Sequence, residues 1–78
     1  VPDLTAEELS VLDFEDQWWR HRGAKDEAIE RLFGTTPVRH YQRVTALLDR
    51  PEALAARPVV VGRLRRLRER RRRSIGSR

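Results

Sequence analysis

Seventy-eight residues leave room for one domain with a small core, and the absence of cysteine excludes disulfides and Cys-ligated zinc as stabilisers. No apolar run approaches the ~20 residues that span a bilayer, and the opening VPDLTAEELS lacks the basic-then-apolar order of a secretory leader. The expectation is a soluble, cytoplasmic protein. The net charge of +5 hides two opposed halves: residues 1–33 carry nine acids and four bases, residues 34–78 three acids and thirteen bases. That split presents a directed positive face. Sixteen of the seventeen cations are Arg, whose planar fork suits phosphate and guanine edges; a GC-rich genome produces the same bias.

Thr5-Ala6-Glu7-Glu8 has the form of a capping box, Thr5 capping and Glu8 reaching back to its amide. A helix is predicted from there to about Arg20. It carries a wide apolar arc of Leu9, Val11, Leu12, Phe14, Trp18 and Trp19, and its acids read as a solvated face. The two Trp pack in a core or supply a dimer contact; adjacent residues point to different sides. His21-Arg22-Gly23 reads as a loop.

Residues 24–49 read as two amphipathic helices around a tight turn. Ala28, Ile29, Leu32 and Phe33 recur at helical spacing, and Gly34 stands where a helix should close in the left-handed conformation. Thr36 is placed to cap a new helix with Pro37 in its first turn. Val38, Tyr41, Thr45 and Leu48 form one stripe of that helix, with Arg39, Gln42 and Arg43 largely on the other side. A helix ending at Gly and restarting about three residues later with a cationic outer face has the design of a DNA-reading helix-turn-helix.

Asp49-Arg50-Pro51-Glu52 reads as a further cap and helix start, ended by Arg57-Pro58. From Pro58 a last helix is predicted, with Val60, Leu64 and Leu67 at i, i+4 and i+7 and Gly62 as a weak point. The stripe fades after Leu67, so residues 1–69 are expected to form the domain and residues 70–78 a mobile Arg-rich tail. The fold class expected is all-α, a bundle of four to five helices.

No Gly-rich phosphate loop or paired-carboxylate signature is present. His21 and His40 are too far apart, with too little nearby acid, to suggest a metal site. An enzyme, a cofactor and a metal are therefore not expected. Base contacts are expected from Arg39 to guanine and Gln42 to adenine, with Arg43 reaching a base or a phosphate. Thr35, Thr36 and His40 are candidate phosphate contacts, although His40 equally packs. Arg63, Arg65, Arg66, Arg68, Arg70, Arg71, Arg72 and Arg73 form a cationic run broken by one acid, Glu69. Such a run repels itself unless a polyanion neutralises it, and its contacts add affinity without sequence information. A membrane surface is disfavoured because that helix has two Leu and no aromatic residue to insert.

The blocks Leu12-Asp13-Phe14-Glu15, Trp18-Trp19, Gly23-Ala24-Lys25, Ala28-Ile29, Phe33-Gly34, Tyr41-Gln42, Ala46-Leu47-Leu48-Asp49, Pro51-Glu52-Ala53-Leu54 and Arg63-Leu64-Arg65-Arg66-Leu67-Arg68 resemble a family of small actinobacterial proteins of unknown function. The resemblance covers nearly the whole chain. It implies a compact helix-turn-helix protein, regulatory or nucleoid-associated, with an aromatic often standing where His40 is and an aliphatic where Arg43 is. The reading that follows is a double-stranded-DNA-binding protein, with a homodimer formed through Trp18 or Trp19 expected on a roughly palindromic site. Two rivals remain. One is an interaction module contacting RNA polymerase or a sigma factor through the acidic helix and the Trp pair. The other is a structured-RNA binder that works through the Arg run.

Overall fold

The computed structural model describes residues 3–18 and 22–76 and is all-α there: α1 Ala6–Trp18, α2 Arg22–Phe33, α3 Pro37–Leu48, α4 Pro51–Ala56 and α5 Pro58–Gly76. The capping box closes as expected. Glu8 Oε1 accepts from the Thr5 amide at 2.8 Å, and Thr5 Oγ1 from the Glu8 amide at 3.1 Å. Gly34 ends α2 at φ +63°, the region open to glycine. Thr36 caps α3 by accepting from the Arg39 amide at 3.2 Å, with Pro37 next in the first turn.

Some boundaries differ from expectation. α2 already includes Arg22 and Gly23, which the sequence reading put in a loop. Asp49 ends α3 instead of capping α4, whose N-cap is Arg50 without a side-chain bond. The expected tail is helical as far as Gly76. Arg is a good helix former, so the run does not break merely because it leaves the core. Trp19, Arg20, His21 and residues 77–78 lie outside the described residues, as does the Trp18 side chain.

The core has two parts. Val11 and Leu12 of α1 pack with Val44, Leu47 and Leu48 of α3, Ala53 of α4 and Val60 and Val61 of α5. Phe14 packs separately with Ala28 and Ile29 of α2, beside Phe33 and Tyr41. The wide apolar arc of α1 thus reflects its central position: among its described residues, Val11, Leu12 and Phe14 are buried within the chain. Leu32, grouped by spacing with the core residues of α2, is 58% exposed.

Gly62 lies inside α5, where a Cβ would meet only the tip of Arg66 at 3.4 Å. Gly62→Ala is expected to raise the stability by about 0.5–1 kcal/mol, the usual helix-interior difference. A urea midpoint that stays put or falls would mean that the Arg66 head cannot yield.

Candidate nucleic-acid interface

The orientation of α3 decides what it can offer. At about 100° per residue, His40, Val44, Leu47 and Leu48 form its inward stripe, and all four are buried. Gln42 falls near the centre of the opposite face, flanked by Val38, Arg39 and Ala46. Gln42, Arg39 and Ala46 are exposed, and Val38 is 66% exposed. The stripe expected to face inward, Val38–Tyr41–Thr45–Leu48, is therefore only partly internal: Val38 and Thr45 point out, Tyr41 is half-buried and Leu48 is in the core. The physical reason is His40, a polar residue that occupies a core position.

His40 is 1% exposed and is not placed to touch a phosphate, which corrects that expectation. Its ring stacks on Phe33 and meets Phe14 and Tyr41 edge-on, with all three centroids at 5.5 Å. Its Nε2 donates to Glu15 Oε2 at 2.8 Å, while Lys25 Nζ donates to Glu15 Oε1 at 2.7 Å. Glu15 is 3% and Lys25 7% exposed, and the Lys25 ammonium lies 5.0 Å from the Tyr41 ring centroid. One carboxylate thus pins α1, α2 and α3 together directly beneath the outward face of α3. Burial pushes the Glu15 carboxyl up, but hydrogen bonds from His40 and Lys25 outweigh it and hold the group below its usual value.

The other acids of α1 are not a merely solvated face. Glu7 meets Arg43 at 3.2 Å, Glu8 meets Arg50 at 2.8 Å, and Asp16 meets Arg63 at 3.2 Å. Asp13 accepts twice from Arg57, at 2.6 and 3.2 Å. Much of the opposed charge along the sequence is therefore joined within the fold, with α1 as the acidic spine. Arg43 is one of that spine's partners and sits at the margin of α3 towards α1, beside the outward face and not at its centre.

Asp13 and Glu8 are also held below their ordinary values, Asp13 chiefly by the Arg57 hydrogen bond and Glu8 chiefly by the Thr5 amide. A lowered folded-state value means the stability gained is complete above the unfolded carboxylate range, at about pH 4–5, and is lost as pH falls through the lower folded values. Urea midpoints should therefore hold from pH 7 to about pH 5 and drop below it, with Glu15→Gln making the drop shallower. A midpoint that climbs on acidification would contradict the shifts.

The Arg run of α5 divides in two. Arg65 Nε donates to the Leu48 carbonyl at 2.8 Å and Arg68 to Asp49 at 3.0 Å, both at the C-terminal end of α3, where a cation offsets the helix dipole. Arg63 reaches Asp16 and the Glu15 carbonyl. These three, expected at phosphates, are engaged within the fold. Arg66, Arg70, Arg71, Arg72 and Arg73 are exposed. Thr35 and Thr36 line a shallow cleft with Glu30, Gly34 and Arg39; the Glu30 carboxylate makes that cleft less hospitable to phosphate than the two Thr alone suggest. The dimer contact expected at Trp18 and Trp19 lies outside the described residues. Among those residues no cluster of three potential metal ligands occurs, and no helix is long and apolar enough to cross a membrane.

The molecule is thus a small all-α bundle whose third helix turns Val38, Arg39, Gln42 and Ala46 outward from a buried ionic pin. The chain belongs to the family described as protein of unknown function DUF3263, whose model matches residues 3–75. Comparison with curated proteins and with solved structures gives no match.

Proposed function

We propose that this chain binds double-stranded DNA as a helix-turn-helix protein, α2 and α3 forming the motif and the first half of α3 entering the major groove, in a regulatory or nucleoid-organising role. The observation that carries the reading is the outward face of α3. It presents Arg39 and Gln42 from the first half of a helix whose opposite stripe is locked into the core. These side chains suit base edges, Arg for guanine and Gln for adenine, and the N-terminal part of such a helix approaches bases most closely. The exposed Arg of α5 supply contacts to phosphate that add affinity for any sequence.

Fluorescence anisotropy on duplex DNA across a salt series tests this reading. With about three to five phosphates neutralised by the exposed Arg of α5, log K against log salt should have a slope of roughly −2.7 to −4.5. Selection from random duplexes beside an RNA competitor should then yield a preferred site. Arg39→Ala and Gln42→Ala should weaken that site more than random DNA, by about 1–3 kcal/mol for each bidentate contact. Equal losses on both DNAs would remove these side chains from the readers. A slope near zero, or preference for the RNA, would sink the DNA reading.

A further inference from the structure

Val38 is the one large apolar side chain standing on the outward face of α3 among the described residues, at 66% exposure in the second position of the helix. It is not a lone surface aliphatic. With Tyr41, Gln42 and Thr45 it lines a shallow, mostly apolar notch. The notch is held in shape from beneath: Tyr41 is half-buried, donates to Asp26 at 3.4 Å and lies against the Lys25 ammonium. Thr45 donates to the Tyr41 carbonyl at 3.0 Å, which occupies its hydroxyl proton within the helix.

A shallow apolar notch next to a primary amide matches one ligand chemistry in the major groove. An A·T pair offers the thymine 5-methyl on one strand and the adenine N6/N7 edge on the other, and Gln pairs with that edge in bidentate fashion. A G·C pair has no methyl to fill the notch. Val38 and Gln42 are four residues apart, about 6 Å along the helix axis, which lets the two groups lie on one base pair or on neighbours about 3.4 Å apart. Resting on the DNA-binding reading above, we infer that Val38 is a specificity-determining residue that packs on a thymine 5-methyl within one base pair of the adenine read by Gln42. The preferred site then contains an A·T element set by α3 itself, besides any guanine read by Arg39.

The test uses the full chain and the duplex selected from a random pool, with each thymine replaced singly by uracil, which removes only the methyl. One replacement should weaken the wild-type protein about 3- to 5-fold, the effect of one buried methyl. Val38→Ala should lose a similar factor on the thymine duplex and show no further loss at that uracil. Val38→Ile should keep the uracil sensitivity. Equal thermal midpoints for the three proteins are expected, since Val38 is outside the core. Binding of the selected duplex with no uracil effect, or with Val38→Ala as uracil-sensitive as wild type, overturns the thymine contact and leaves DNA binding standing. Failure to bind or select any duplex overturns both.

Discussion

Glu15→Ala is expected to remove about 3–5 kcal/mol of folding stability, the usual result of stripping one partner from a buried ion pair. Lys25 and His40 would both stay in the core, at 7% and 1% exposure, with no carboxylate to accept their protons. A chain of this length holds a total of about 4–12 kcal/mol, so the loss removes at least about a quarter of that stability and should appear as a large fall in the urea midpoint. The cost belongs to the orphaned charge and not to the lost contact. Replacing the whole cluster by Glu15→Leu, Lys25→Met and His40→Phe should therefore recover most of the loss, because buried ionic groups of similar volume can often be exchanged for apolar ones without net penalty. The His40 position already lies among three rings, which favours Phe. Urea unfolding of the single and triple variants decides the matter. A single variant as stable as the parent would mean that Glu15 holds nothing together. A triple variant no better than the single would mean that the cluster is needed for its geometry.

The same cluster marks where the sequence was hard to read. Element types were legible because they rest on local chemistry: the Thr5–Glu8 box, Gly34, the Thr36–Pro37 start and the Pro58 start depend on one to four neighbouring residues. The facing of α3 was not, because a carboxylate on another helix, Glu15, gave His40 a hydrogen-bond partner that made it a core residue. A signal did exist. Glu15 is four residues from Val11, Lys25 three from Ala28 and four from Ile29, and His40 four from Val44; each polar residue falls on the buried stripe of its helix. Three polar core positions on three helices, a carboxylate, an ammonium and an imidazole, suggest one hydrogen-bonded cluster, but only once their adjacency is known. With the place of His40 left open, the facing of α3 followed apolar spacing alone, which moved Val38 inward. The acids of α1 were misread for the same reason, since their partners stand 10 to 47 residues away.

Replacing Arg66, Arg70 and Arg73 together by Ala is expected to reduce the salt slope on duplex DNA by about 2.7, at roughly 0.9 per phosphate contact. The reasoning depends on α5 remaining helical to Gly76. At about 100° per residue, four consecutive Arg at positions 70–73 point in four directions and cannot all meet one duplex. Arg66, Arg70 and Arg73, at i, i+4 and i+7, fall on one stripe, opposite the side on which Val60, Val61 and Leu64 pack. Arg71 and Arg72 lie off it. Removing those two should reduce the slope by about 1 or less, whereas in a tail without fixed shape each charge would count alike. Affinity should fall by the same factor on preferred and random duplexes, since phosphate contacts carry no sequence information. Arg65→Ala and Arg68→Ala should behave differently again: they unseat the end of α3, so thermal stability should fall while the slope stays near its original value. If losses track only the number of Arg removed, whatever their position, the helical stripe has no part in binding. If the Arg66, Arg70 and Arg73 variant loses only at the preferred site, these side chains reach bases and the division of labour between α3 and α5 is wrong.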